Sequence, residues 1–195
     1  RTYLRRLVWL ITMILTTATS LLAAQPSIRD QLSSALQSNQ PGLYHVTRFV
    51  DGDTVEVNMN GHTEAIRLIG VDTPETHDPR KPVQCYGQEA AAFTQQLINN
   101  QPLRLVADPL DTDRDRYDRL LRYLYLPDGT LVNQALITEG YGFYYPYFPF
   151  TKKAEFAASQ TTAQQAHRGL WSACQPQTNE DGGYTSNAVS ADTTK

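Results

Sequence analysis

Val50-Asp51-Gly52-Asp53-Thr54-Val55 leads into a strand that turns at Asn60-Gly61 and returns to Arg67-Leu68-Ile69-Gly70-Val71-Asp72-Thr73-Pro74-Glu75. Residues 54–59 and 63–71 alternate apolar and polar positions, and Asn-Gly is the dipeptide that a two-residue hairpin turn prefers. Together the two stretches gather hard oxygen ligands, a cation and a spare carboxylate. Those are the parts needed to hold a divalent metal against a phosphate while a water attacks it. With Asn60-Gly61 as the turn, pairing sets Arg67 opposite Thr54, and strict alternation points Arg67 to the other face from Asp53. A bulge or a strand end has to reconcile the two.

Outward from this hairpin, residues 43–50, 103–107 and 120–126 also read as strands. Residues 86–99, 131–139 and 151–167 read as helices, with Gly169 in the position that a left-handed cap prefers. Five strands and three helices in this order predict an α+β fold with a mainly β core, a small barrel with helices around it.

The ends differ from this middle. Residues 1–24 carry three arginines and then an apolar stretch, the n-region and h-region of an export signal, with a retained membrane anchor as the alternative. Residues 25–41 read as a polar leader, residues 42–174 as the single domain, and residues 175–195, with few apolar side chains, as a disordered tail. Removing residues 1–24 takes away three arginines and no acid, so the formal net charge moves from −3 to −6. An acidic surface excludes a module that grips nucleic acid with its whole face, so polyanion binding has to be local and aided by a metal.

Asp51-Gly52-Asp53-Thr54-Val55, Arg67-Leu68, Val71-Asp72-Thr73-Pro74-Glu75-Thr76, Tyr86-Gly87-Gln88-Glu89-Ala90, Asp115-Arg116-Tyr117, Arg119, Val132-Asn133-Gln134-Ala135-Leu136 and Gly169-Leu170-Trp171 together resemble the staphylococcal nuclease (thermonuclease) family over about residues 44 to 172. The resemblance implies a five-stranded OB-fold β-barrel and a calcium-dependent phosphodiesterase that cuts DNA and RNA with little sequence preference. It also implies roles. Asp53, Asp72 and the main-chain carbonyl of Thr73 correspond to ligands of one Ca2+, and Asp51 to an outer-sphere carboxylate. Glu75 corresponds to the residue that activates the attacking water, Arg67 and Arg119 to the arginines that grip the phosphate. Arg116 and Tyr117 match positions that contact a terminal phosphate, while Asp118 stands where the staphylococcal enzyme has glycine.

Elementary chemistry agrees with these roles. Calcium accepts carboxylate and carbonyl oxygens in flexible geometry, leaving positions open for water and phosphate. Planar guanidiniums meet the extra charge of a phosphorane with paired hydrogen bonds that lysine cannot reproduce.

Arg114 and Arg122, in the run where arginines alternate with Asp111, Asp113, Asp115 and Asp118, read as solvated surface charges. Residues 141–150 hold seven aromatics, of which about half are expected to pack on the barrel and Tyr145 or Tyr147 to meet a base. Cys85 and Cys174, the two cysteines of a chain expected outside the cytoplasm, are expected to form a disulfide. The alternative is zinc held with His77 and His167. His45 and His62 read as exposed strand or turn residues.

The expected protein is therefore a secreted, periplasmic or cell-surface endonuclease with DNA and RNA as substrates. No stable protein partner is implied, and a membrane is involved only if residues 1–24 are retained. A nuclease-like fold that only binds nucleic acid or protein would instead have lost carboxylates and gained a basic surface. A calcium-stabilised wall-associated module would have no need of both Arg67 and Arg119.

Overall fold

The structure is a computed structural model that describes residues 42–76 and 82–189. The expected export segment, the polar leader and His77 lie outside the described residues. Strands β1 (Leu43–Tyr44), β2 (Val46–Phe49), β3 (Thr54–Met59), β4 (His62–Leu68), β6 (Leu103–Val106) and β7 (Leu120–Tyr125) form one sheet in the order β1-β6-β7-β4-β3-β2. Its two edge strands are neighbours in sequence, separated only by His45. The sheet therefore has to curl on itself to bring its two edges to one point of the chain, which gives the curled half-barrel of an OB-fold. The expected first strand over 43–50 is thus two, because the chain changes pairing partners at His45, and a register shift follows between Val46 and Arg48.

The hairpin β3–β4 has the register read from the sequence, Thr54 opposite Arg67 and Met59 opposite His62. Strand β4 also pairs with β7 in parallel, Ile66 opposite Leu120. The expected strand over 63–71 is broken at Gly70, whose φ of 72° suits a residue without a Cβ, and where a Cβ would lie 2.6 Å from the Phe150 ring. The chain resumes as β5 (Val71–Asp72), paired with β8 (Phe143–Tyr144).

Helices α1 (Gly87–Ile98), α2 (Val132–Thr138) and α3 (Lys153–Gln165) lie where the sequence predicts them, and a short fourth, α4 (Leu170–Ala173), follows. The left-handed residue after α3 is His167, φ 51°, and not Gly169 alone: Gly169 instead brings the backbones together so that the Leu170 N–H donates to Gly140 O at 2.8 Å. Val55, Val57, Ile66, Leu68, Leu105, Leu124, Leu136 and Phe156 are fully buried and form the centre of the core. Among the described residues, no helix is long and apolar enough to cross a membrane.

Two expectations are corrected. Arg122 is not a solvated charge: it is 2 % exposed and its guanidinium donates to Asp113 Oδ1 at 2.6 Å and to Leu121 O at 2.7 Å. Alternation along β7 turns it inward, and these oxygens replace water. Nor are residues 175–189 structureless. They carry a hairpin, β9 (Gln177–Thr178) with β10 (Tyr184–Thr185), whose Tyr184 packs on Trp171 at 5.0 Å between centroids and on Phe143 at 6.1 Å. Average composition missed them because backbone pairing, one ring and a covalent tie at Cys174 hold the segment, without an apolar face of its own.

Candidate active site

Residues 51–53 form a bend ahead of β3. The N–H groups of Val50 and Asp51 both donate to Thr54 O, Asp51 Oδ1 accepts from the Asp53 N–H at 3.1 Å, and the buried Thr94 hydroxyl of α1 donates to Gly52 O at 2.7 Å. The bend rests on Thr73, and a Cβ on Gly52 would lie 2.8 Å from the Thr73 methyl, so only glycine permits that approach. Asp53 thus precedes the alternating residues of β3. The strand end, not a bulge, resolves the apparent conflict with Arg67.

Arg67 draws the other end of the hairpin onto this bend. Its guanidinium lies 3.1 Å from Asp53 Oδ2 and 2.9 Å from Asp72 Oδ1, and donates to the carbonyls of Leu68 at 2.8 Å and Val71 at 2.7 Å. Asp53 Oδ2 also accepts the Thr73 N–H at 2.8 Å. Burial works against the Arg67 charge, but Asp53, Asp72 and Asp51 outweigh it and hold its pKa above the ordinary arginine value. Asp51 experiences the reverse: burial and then the neighbouring Asp53 charge push its carboxyl up to about 7, although Arg67 pulls it down. Arg67 is thus paired directly with two carboxylates, Asp53 and Asp72, with the Asp51 carboxyl close behind.

Arg119 approaches from the loop before β7. Asp115 grips its Nε at 2.7 Å and its terminal nitrogen at 2.6 Å, while the other terminal nitrogen lies 3.4 Å from the Thr54 hydroxyl, which itself donates to Asp53 Oδ1 at 3.1 Å. Burial opposes the Asp115 charge, yet the Arg119 hydrogen bonds keep its pKa below the usual carboxylate value. The exposed Tyr117 ring stacks under two guanidiniums, 4.8 Å from Arg116 and 5.4 Å from Arg119. Asp118 has φ 66°, which explains why a glycine can occupy this position, and its carboxylate points to Arg114 at 3.7 Å. Arg114 itself pairs with Glu64 at 3.0 Å, as a structural and not a site residue.

Asp51, Asp53, Arg67, Asp72, Thr73, Glu75, Arg116, Tyr117, Arg119 and Tyr145 line one open cleft. Tyr147 does not line it; its ring packs against Tyr145 at 4.7 Å and its hydroxyl lies against the 179–183 turn. Of the other aromatics, Phe143 and Phe150 are buried, Tyr141 stacks on Phe93 at 4.0 Å, and Phe148 is exposed. Cys85 and Cys174 are joined by a disulfide, so neither offers a thiolate to zinc.

Two buried residues that hold the site were given no role by the sequence reading. Thr94 anchors the Gly52 carbonyl. Asn133, fully buried, accepts from Leu124 N–H at 2.9 Å and donates to Ile69 O at 3.0 Å and Arg122 O at 3.1 Å, joining β7 to the residues between β4 and β5. Asn133 lies within one of the sequence motifs, but only its burial reveals the role.

The model of the family described as staphylococcal nuclease homologue matches residues 65–173. A protein named Thermonuclease from Staphylococcus hyicus is 39% identical over 143 residues, 72% of this chain and 82% of its own length. A second Thermonuclease, from Staphylococcus intermedius, is 40% identical over 131 residues, 66% of this chain and 75% of its own. Endonuclease YncB of Bacillus subtilis is 40% identical over 138 residues, 69% of this chain and 64% of its own.

Proposed function

Because this chain belongs to the staphylococcal nuclease homologue family, we propose that it is an exported, calcium-dependent nuclease hydrolysing phosphodiester bonds of DNA and RNA with little sequence preference. The observation that carries this reading is the continuous linkage of Arg67, Asp53, Thr54 and Arg119 along one cleft that Glu75 also lines.

The donor set fits a hard divalent cation. Asp53, Asp72 and the Thr73 carbonyl would hold one Ca2+, with Asp51 behind them, and the crowded carboxylates around Arg67 supply the negative field that such an ion relieves. Among the described residues, no three His, Cys, Asp or Glu side chains close into a cage. When bound, calcium would draw charge from the phosphoryl oxygen and lower the cost of forming hydroxide. Glu75 takes the proton of the attacking water. Arg67 and Arg119 donate to the phosphoryl oxygens as negative charge grows on them, and Asp115 fixes the orientation of Arg119 in advance. Arg116 and Tyr117 meet a neighbouring phosphate and Tyr145 offers its ring to a base. The basic and apolar leader, together with the Cys85–Cys174 disulfide, supports export to an oxidising compartment.

The test is incubation of the purified protein with plasmid DNA and with RNA, in calcium or in chelator. Degradation of both substrates only with calcium is expected. Equal cleavage in chelator would remove the metal from the reading, and intact substrates in calcium would remove the nuclease.

A further inference from the structure

We propose that residues 175–189 act as a brace for Glu75, transmitted through Gln84, which makes Gln84 a positioning residue of the site. The consequence for turnover rests on the nuclease reading above; the brace itself rests on geometry alone.

Gln84 holds the backbone of Glu75 at both of its polar groups. Its side-chain Oε1 accepts the Glu75 N–H at 2.7 Å, and its own N–H donates to Glu75 O at 2.9 Å. The other end of the same carboxamide donates from Nε2 to the Thr185 hydroxyl at 3.1 Å, so Thr185 fixes which way the amide faces. Around this point the C-terminal segment is laced to residues 83–85. Ala188 bridges Gln84, the Val189 N–H donates to Val83 O at 2.9 Å, the Cys85 N–H donates to Asn187 O at 2.8 Å, and the buried Ser186 hydroxyl donates to Cys85 O at 2.9 Å. The Cys85–Cys174 disulfide closes the base of the segment. The β9–β10 turn also backs Tyr147, whose ring supports Tyr145 in the cleft. One segment therefore steadies the main chain that carries the Glu75 carboxylate, and the Tyr145 ring, from outside the barrel. A general base gains from such steadying because a small displacement of its carboxylate lengthens the proton transfer.

Amide hydrogen exchange and steady-state kinetics on the full chain separate the brace from its consequence. Gln84→Ala and Thr185→Val are expected to speed exchange at the Glu75 amide, by about tenfold for the loss of one such hydrogen bond, while core amides such as Leu124 stay protected. Gln84→Glu keeps the accepting oxygen, and the Thr185 hydroxyl can donate to the second carboxylate oxygen, so protection at the Glu75 amide is expected to return. In calcium, Gln84→Ala should lower kcat by about tenfold with KM little changed, and should add nothing in a Glu75→Gln background, where the group it positions has lost its function. Unchanged exchange at Glu75 in either Gln84→Ala or Thr185→Val overturns the brace. An equal further loss in the Glu75→Gln background overturns the positioning role. A wild-type protein inactive in calcium overturns the nuclease reading instead, and the exchange result still decides the brace.

Discussion

Arg67 and Arg119 carry the same side chain and, in the proposed reaction, a similar duty, but their surroundings give them different second roles. Arg67 is almost enclosed and is the counter-charge to Asp53 and Asp72, while also filling the hydrogen-bonding needs of two carbonyls. Its removal strands the Asp53 carboxylate, which packing has already taken from water, and deprives the half-exposed Asp72 of its counter-charge. Arg67→Ala should therefore lower stability by about 3–5 kcal/mol in urea unfolding, besides abolishing turnover. Arg119 sits at the cleft rim with one carboxylate partner, so Arg119→Ala should cost at most about 1 kcal/mol while slowing cleavage by at least about a hundredfold. Equal losses of stability in the two variants would contradict this division. Each of these residues was legible in the sequence because its motif is short and contiguous. The burial of Arg122 was not, because a run of alternating charges looks the same whether one member faces solvent or a ring of carbonyls.

At the scale of elements, the site is a meeting of ends: the bend before β3, the end of β4 and the two residues of β5. The sequence predicted the hairpin and its register correctly, yet set Asp53 and Arg67 on opposite faces because alternation was extended past the first residue of the strand. It predicted one continuous strand where Gly70 breaks the chain and redirects it to Asp72 and Thr73. The packing of bend against β5 depends on Gly52, where a Cβ would press on Thr73 from 2.8 Å. Gly52→Ala is expected to destabilise by about 1–3 kcal/mol and to weaken calcium affinity, since the displaced atoms belong to Thr73, a proposed ligand. Calorimetric titration with calcium checks this, and wild-type affinity at wild-type stability would show that the contact yields freely. Thr94, which holds the same bend from α1, gave no signal in the sequence because a threonine on the buried face of a helix is ordinary until its partner is known.

At the scale of the described molecule, the sheet curls so that its two edge strands adjoin at His45, and the last described residues return to the Glu75 region under a disulfide. Asp108 ties distant parts of this assembly: it is 5 % exposed and accepts from the Tyr123 hydroxyl at 2.7 Å, the Thr151 N–H at 2.7 Å and hydroxyl at 2.6 Å, and the Leu110 N–H at 2.8 Å. Burial opposes its charge, but these donors hold its pKa below the ordinary 3.8. The carboxylate therefore stabilises the native state above that pH, and the contribution fades as pH falls through the depressed folded value. Asp108→Asn should lose about 1–3 kcal/mol at neutral pH and show a shallower fall in stability below about pH 4. Parallel acid limbs for variant and wild type would contradict it. The family and the barrel were readable because several motifs occur in one order. The C-terminal brace was not, because composition averages over residues and cannot register a segment held by backbone pairing and a covalent bond.

The central claim is that this cleft is a hydrolytic site in which Glu75 activates water. The most direct measurement is the single-turnover cleavage rate of Glu75→Gln against wild type at saturating calcium, with the unfolding midpoint measured alongside. A rate at least about a hundredfold lower at an unchanged midpoint is expected; cleavage by the variant at the wild-type rate would remove Glu75 from the reaction.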